Sequence, residues 1–236
     1  MSFLRWTPRL VGSIPRLYPQ LSRTSEKSPG LPPFFSVTNL PTYYINLDRR
    51  EDRRVWVEKE LETIGIVEGT RFPAIANALG ILGCTRSHIR VLELIEKSGS
   101  SLSMICEDDI EFLAEADAIN AVVGEFAEHP GLDVLCLAYR LRAPRLKISK
   151  TLAVGNSIQT ASCYVVTQKA VGVILESFRQ SERMLEQGVD PLIAANDMHW
   201  KIAQTNRLFF AFPRRRLARQ RPSFSDIAGR FKNYGA

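Results

Sequence analysis

Three consecutive carboxylates are the residues of this sequence best suited to chemistry. Glu107, Asp108 and Asp109 directly follow residues 102–106, an apolar run with the length and composition of a buried strand. Adjacent carboxylates repel one another, so the cluster is favourable where a cation binds or where one group stays protonated. Hard oxygen ligands at the end of a strand suit Mg²⁺ or Mn²⁺, especially beside a diphosphate. The alternative is a strand followed by a solvated acidic turn.

Strand and helix signals alternate along the chain and predict the elements that position these carboxylates. We predict strands at 42–47, 71–74, 102–106, 133–139, 160–167 and 208–213, and helices ending at Gly65 and over 80–98, 114–126, 168–179 and part of 191–204. The stretch 140–158 shows no clear pattern. Alternating helices and buried strands predict an α/β sheet covered on both faces, and such sheets bind ligands beyond the carboxyl ends of their strands.

Charge is distributed unevenly along the chain of 236 residues, which has a net charge of +6. Residues 1–40 carry five basic side chains and one acidic, residues 207–236 carry eight and one, and the segment between them carries eighteen and twenty-three. Residues 25–41 are rich in proline, serine and glycine. We therefore predict a basic, disordered arm and linker over 1–40 and one folded domain over 41–236.

The expected location is the cytoplasm. No apolar run is long enough to cross a bilayer, and residues 1–25 lack the apolar core of a secretory signal. The four cysteines lack zinc-type spacing and are expected to be buried free thiols, which favours a reducing compartment. The composition of the arm also fits an organelle-targeting peptide, so targeting stays open. The basic tail allows peripheral contact with an anionic membrane.

Two further positions could carry chemistry. His88 follows Ser87 in the middle of a predicted amphipathic helix, where a lone histidine is more often a core residue than a ligand or a base. Asp197 lies near the start of a predicted helix, beside His199 and Trp200. An acidic residue at that position also stabilises the helix dipole without any catalytic role.

Several of these segments, taken in order, resemble glycosyltransferase family 25, which includes lipooligosaccharide galactosyl- and glucosyltransferases and collagen galactosyltransferases. The similar segments are YINLDRREDRR (44–54), GCTRSHIRVLE (83–93), ICEDDIEF (105–112), TASCYVVTQKAV (160–171), Asp197 and ARQRPSFSDI (218–227). They extend over the whole predicted domain. It is their order, more than any single motif, that makes the resemblance specific.

The resemblance implies a single GT-A-like nucleotide-sugar-binding domain with a mixed, mainly parallel central sheet covered by helices. It implies metal-dependent transfer of a hexose, galactose or glucose, from a UDP-sugar to a glycan, a lipid-linked glycan or a lipopolysaccharide-type acceptor. The implied cofactor is Mn²⁺ (or Mg²⁺). The residues expected at the site are Glu107, Asp108 and Asp109 for the metal, Asn46, Asp48, Arg49, Arg53 and Ser87 for the donor, and Asp197 and His88 for catalysis.

Three other functions are compatible with parts of the sequence. An inactive relative would bind a nucleotide-sugar without turnover, although the intact acidic triplet argues against this. A nucleic-acid-binding module could use the arginines of the tail, but the acidic body of the domain makes a polynucleotide partner unexpected. A metal-dependent phosphohydrolase would need more metal ligands than the three scattered histidines offer.

Overall fold

The computed structural model describes residues 36–141, 145–227, 229–233 and 235. The strands are β1 Thr42–Asn46, β2 Thr70–Pro73, β3 Leu102–Glu107, β4 Ile110–Phe112, β5 Val134–Cys136, β6 Arg140–Leu141, β7 Arg145–Lys147, β8 Leu152–Gly155, β9 Ile158–Gln159, β10 Cys163–Thr167, β11 Phe210–Pro213, β12 Ala218–Gln220, β13 Ser223–Ser225 and β14 Arg230–Lys232. The helices are α1 Glu51–Thr63, α2 Gly80–Ser98, α3 Ala116–Glu128, α4 Gln168–Glu186, α5 Pro191–Ala194, α6 Asn196–His199 and α7 Lys201–Asn206.

Among the described residues, eight strands form one sheet in the order β2-β1-β3-β10-β5-β11-β8-β7. Strand β1 pairs in parallel with both β2 and β3, and β11 pairs in parallel with β5. Strands β10 and β8 pair antiparallel with their neighbours. Six of the eight strands therefore point the same way, which confirms the predicted mixed, mainly parallel α/β sheet.

Helices pack on both faces of this sheet. On one face, Leu61 of α1 and Phe126 of α3 are buried in a single apolar cluster. On the other face, Leu92 of α2, Phe178 of α4 and Trp200 form a second cluster. Side chains alternate across β3, because Met104 belongs to the first cluster and Ile105 to the second. The prediction of a sheet covered on both faces is confirmed.

Several predicted element boundaries are wrong, each for a local reason. The strand predicted over 133–139 ends at Cys136, because the next two N–H groups, of Leu137 and Ala138, bond to the carbonyl of Cys163. Helix α4 continues to Glu186 instead of 179 and buries Leu185 in its last turn. The helix predicted within 191–204 is three short helices, the first of which is separated from the second by the extended backbone of Ala195.

The beginning of the folded part lies slightly before residue 41. Val37 is fully buried in the first apolar cluster, and its N–H donates to Asn120 Oδ1 at 2.6 Å. Residues 36–40, which the sequence assigned to the linker, thus pack on the domain. Residues 1–35 lie outside the described residues, so the basic arm stays a prediction. Among the described helices, none is both long and apolar enough to cross a membrane.

Candidate functional site

A cavity of about 180 Å³ opens at the carboxyl ends of β1, β2 and β3, the edge of the sheet where ligands of α/β proteins bind. The loop after β2 lines one side, and the segment around β12 and β13 lines another. Helix α2 approaches this loop closely, since a Cβ on Gly83 would lie 2.3 Å from the carbonyl oxygen of Ile75. The charged or amide side chains that line the cavity are Arg49, Arg53, Asn77, Glu107, Asp108, Asp109, Gln220 and Asp226.

One side of the cavity, which we call the arginine side, consists of Asn46, Arg53 and Asp108. Arg53 donates to Asp108 Oδ1 at 2.7 Å, and Asn46 donates to Asp108 Oδ2 at 2.8 Å. Arg53 also donates to Ser223 Oγ at 2.8 Å and to the carbonyl of Phe224 at 2.7 Å. Burial raises the pKa of Asp108, and Arg53 opposes that shift. Both oxygens of Asp108 are thus occupied by protein donors.

Asp109 is buried in the cavity wall but only partly paired. Its Oδ2 atom accepts from Gln220 Nε2 at 3.1 Å and lies 3.4 Å from Arg53 Nη1. Its Oδ1 atom is buried and, among the described residues, has no hydrogen-bond partner. Burial and the charge of Glu107 raise the pKa of Asp109 to about 7. A buried carboxylate oxygen of this kind is favourable when it is protonated or when a ligand binds to it.

A second group at the cavity, which we call the thiol side, consists of Cys84 and Glu107, which line the cavity, and of His88 behind them. Cys84 and His88 lie one turn apart on α2 and both face Glu107 at the end of β3. Glu107 Oε1 lies 3.5 Å from Cys84 Sγ and 3.3 Å from His88 Nε2. Burial opposes ionisation of Glu107, but the contact with His88 holds the pKa of this carboxyl below its usual value.

Arginine residues of the β1–α1 turn pair with the C-terminal segment. Arg49 donates to Asp226 Oδ1 at 2.9 Å, and Arg50 forms a second ion pair with the same carboxylate. The side chain of Arg49 is 59% exposed, so it is accessible to a ligand in the cavity. Asp226 therefore neutralises the guanidinium groups where an anionic ligand is expected.

Asp197 lies beside the loop before β10, close to the thiol side. Its Oδ2 atom accepts from the N–H of Thr160 at 3.2 Å. Burial raises the pKa of Asp197, and the charge of Glu107 adds to this shift. Thr160 has a φ of +89°, a conformation that a β-branched residue rarely adopts. Such strain is retained at functional sites when surrounding contacts hold it in place.

The remaining predicted site residues have other contacts. Ser87 donates to the carbonyl of Gly83 at 2.7 Å and accepts from the N–H of Ile75 at 2.8 Å, so it joins α2 to the loop after β2. Asp48 is 79% exposed and pairs with Arg71. His88 is fully buried. The structure therefore brings Arg49, Arg53 and the acidic triplet to the cavity wall, with Ser87 beside them, but not Asp48.

The residues present fit a divalent cation in part. The unpaired Oδ1 of Asp109 and the partly exposed carboxylate of Glu107 are hard oxygen donors on the same cavity. Asp108 fits less well, because Asn46 and Arg53 already occupy its oxygens. Metal binding by all three acidic residues stays a prediction, in which Asp109 and Glu107 offer the freer oxygens and Asp108 is also paired with Arg53.

Sequence reasoning missed three residues of this site. Gln220 contacts Asp109, and Asp226 contacts Arg49, although both belong to a C-terminal segment noted for its basic charge and its family resemblance. Cys84 was treated as one of four structural thiols, but it lines the cavity. Its spacing of four residues from His88 was the signal that could have placed it in the site.

The C-terminal arginines have structural partners. Arg219 pairs with Glu111 at 2.7 Å, while Arg214 and Arg216 donate to main-chain carbonyls. Arg221 stacks 4.0 Å from the ring of Trp56. These four arginine side chains therefore have partners within the domain.

No protein-family profile and no curated protein matches the chain. Solved structures resemble it at low similarity. A197 from STIV has 10% identity and a TM-score of 0.41, and the match covers 72% of this chain and 81% of that protein. Mannose-1-phosphate geranyltransferase from Thermus thermophilus has 9% identity and a TM-score of 0.39, covering 76% of this chain but only 59% of that one.

A third solved structure is a glycosyltransferase involved in the glycosylation of the major capsid of PBCV-1. It has 10% identity and a TM-score of 0.36, and the match covers 72% of this chain and 93% of that protein. Two of the three similar structures are thus transferases by name. At these identities and TM-scores the similarity carries no argument about function, which has to come from the site.

Proposed function

We propose that this protein is a hexosyltransferase of the glycosyltransferase family 25 type. It transfers galactose or glucose from a UDP-sugar to a glycan, a lipid-linked glycan or a lipopolysaccharide-type acceptor. The observation that carries the proposal is the cavity that Asp109, whose Oδ1 atom has no partner among the described residues, lines together with Arg49 and Arg53. A diphosphate is stabilised by arginines and by a divalent cation, and the cavity is lined by arginines and by carboxylates that could hold such a cation.

In the proposed step, the acceptor hydroxyl oxygen attacks the anomeric carbon of the donor. The bond between this carbon and the diphosphate oxygen breaks, and UDP leaves with the electron pair. A divalent cation, Mn²⁺ or Mg²⁺, bound by Asp109 and Glu107 would supply positive charge to the leaving diphosphate. Arg49, the exposed guanidinium of the cavity, contributes to the same stabilisation.

The remaining roles follow from the contacts of each residue. Asp197 accepts the proton of the acceptor hydroxyl, and its raised pKa makes its carboxylate a stronger base. Arg53 and Asn46 position Asp108, while His88 positions Glu107. Ser87 holds the loop after β2 against α2. Asp48 remains a predicted donor contact.

The test is donor hydrolysis by the full-length protein. UDP-, GDP-, ADP- and CMP-sugars are incubated with the protein in the presence of Mn²⁺, Mg²⁺ or a chelator, and released nucleotide is measured. We expect release from one UDP-hexose that requires the cation. Asp197→Asn should lower that release by at least about 100-fold while UDP still binds.

Two outcomes would overturn the proposal. If no sugar nucleotide is hydrolysed and UDP causes no thermal stabilisation, the cavity does not bind this class of ligand. If UDP binds but there is no turnover with water or with a panel of glycan acceptors, the protein is an inactive relative that binds the nucleotide without catalysis.

A further inference from the structure

The thiol side of the cavity has the donor atoms and spacing of a metal site with sulfur, nitrogen and oxygen ligands. The Sγ atom of Cys84, a ring nitrogen of His88 and a carboxylate oxygen of Glu107 all lie within 4.8 Å of one another. They come from two rigid elements, one helix turn of α2 and the last residue of β3. Ligands on rigid elements hold their geometry better than ligands on loops.

The two separations that involve Glu107 fit tetrahedral coordination. Zinc bonds of about 2.1 Å to nitrogen or oxygen and about 2.3 Å to sulfur place nitrogen and oxygen about 3.4 Å apart and sulfur and oxygen about 3.6 Å apart. The observed separations are 3.3 Å from His88 Nε2 to Glu107 Oε1 and 3.5 Å from Cys84 Sγ to the same atom. The first is longer than an ordinary N–H···O hydrogen bond.

The surroundings of the cluster also fit a metal. His88 Nδ1 lies 3.3 Å from the hydroxyl of Tyr164, and metal-bound histidines commonly use their second ring nitrogen in this way. Cys84 and Glu107 line the cavity, whereas His88 is buried behind them. Three protein ligands with one side facing a cavity are the arrangement of a site that keeps a position for water or substrate.

We infer that Cys84, His88 and Glu107 bind a zinc-class divalent cation whose fourth position faces the cavity. This site shares Glu107 with the Mn²⁺ or Mg²⁺ site proposed beside Asp109, but it differs from that site in its sulfur and nitrogen ligands. Thiolate and imidazole ligands favour Zn²⁺ and Co²⁺, whereas carboxylates alone favour Mg²⁺ and Mn²⁺. The inference rests on this geometry and does not require the proposed transferase activity.

The experiment uses Co²⁺ as a spectroscopic substitute for Zn²⁺ in the full-length, chelator-treated protein, without added thiols. We expect one equivalent of Co²⁺ to produce the visible bands of tetrahedral cobalt and a near-ultraviolet thiolate-to-cobalt band. One equivalent of Zn²⁺ should remove both bands, and a large excess of Mn²⁺ should not. The absence of a stoichiometric band, or its removal by Mn²⁺, would overturn the inference.

Variants identify the ligands. Cys84→Ser should abolish the near-ultraviolet band and weaken Zn²⁺ binding by more than about 100-fold, and His88→Gln should weaken it comparably. Cys136→Ala, which removes a buried thiol of β5, should keep the band. Circular dichroism checks that each variant folds. If Cys84→Ser does not fold, the result depends on His88→Gln. If the thiolate-to-cobalt band persists at full intensity in folded Cys84→Ser or His88→Gln, the inference is wrong.

The same samples separate this inference from the proposed function. If the protein shows the cobalt band but neither binds UDP nor releases it from a donor, the metal site is supported and the transferase function is rejected. If the protein turns over a UDP-sugar with Mn²⁺ but shows no thiolate-to-cobalt band, the transferase function is supported and the zinc-class site is rejected.

Discussion

The arginine side and the thiol side of the cavity begin from the same strand end but are built differently. On the arginine side, both oxygens of Asp108 accept from protein donors at 2.7 and 2.8 Å. On the thiol side, the contacts of the Glu107 side chain with Cys84 and His88 are longer, at 3.5 and 3.3 Å. Folding therefore completes the arginine side, whereas the thiol side keeps donor atoms for a ligand.

Asp109 lies between the two sides and shows why the difference matters. It shares Arg53 with Asp108, yet its Oδ1 atom has no partner among the described residues. The single positive charge of Arg53 cannot neutralise two buried carboxylates. The charge that remains has to be met by a proton or a cation.

The largest expected effect comes from breaking the arginine side. Arg53→Ala leaves the buried carboxylate of Asp108 without its cation and removes the bonds that hold Ser223 and Phe224. We expect a loss of about 3–5 kcal/mol in the free energy of unfolding, measured by urea denaturation. Arg54→Ala is the matched control, because its 41% exposed side chain forms only surface pairs and should cost less than about 1 kcal/mol. Equal losses would mean that the arginine side is not a buried structural unit.

The next effect concerns function more than stability. Asp109→Asn removes the unpaired carboxylate and should lower UDP release from the donor by at least about 100-fold. Without metal, the thermal midpoint of Asp109→Asn should equal or exceed that of the wild type, because a buried charge is removed. Released UDP and the thermal midpoint are measured together. Asp117→Asn, at an exposed position of α3, controls for the change in net charge, and unchanged turnover in Asp109→Asn would remove the proposed cation role.

The raised pKa of Asp109 predicts a pH effect in metal-free protein. The unfolded carboxyl titrates near 3.8 and the folded one near 7, so between about pH 4 and 7 the folded state keeps a proton that the unfolded state has lost. The contribution of Asp109 to stability therefore falls as pH rises through this window, by at most about 1.4 kcal/mol per pH unit, and levels off above it.

Urea denaturation at several pH values, with chelator, compares the wild type with Asp109→Asn. The stability of the variant relative to the wild type should increase with pH across the window. Asp226→Asn should show no such trend in this window. Arg49 and Arg50 outweigh burial and hold the pKa of Asp226 below its usual value, so its contribution to stability changes only below about pH 4. A pH-independent difference for Asp109→Asn would mean that this carboxyl is ionised throughout.

The smallest expected effect comes from Arg49. Arg49→Ala removes an exposed guanidinium and should change the free energy of unfolding by less than about 1 kcal/mol. UDP affinity, measured by calorimetry, should fall about tenfold, because one charged contact to the diphosphate is lost. Arg215→Ala, an exposed residue outside the cavity, carries the same charge change and should leave affinity unaltered. Equal weakening in both variants would indicate only a long-range effect of net charge.

Local sequence patterns were sufficient to predict the class of fold and the place of the acidic triplet. Such patterns predicted the apolar strand before the triplet, the alternation of helices and strands, and the end of helix α2 at Gly99. The structure confirms these predictions, and Gly99 has a φ of +69°. The ends of elements were less predictable. Strand β5 ends at Cys136 and helix α5 ends before Ala195 because of hydrogen bonds and backbone angles that depend on distant segments. Local patterns contain no information about such partners.

Which charges meet depends on the folded arrangement of the chain and could not be read from these patterns. Asp108 and Asp109 are neighbours in sequence with the same side chain, yet one is paired by Asn46 and Arg53 and the other is left with a free oxygen among the described residues. Gln220 and Asp226 reach the cavity from the far end of the chain. The physical reason is that ionisation and ligand binding depend on burial and on distances between side chains, and packing of the sheet and helices sets both.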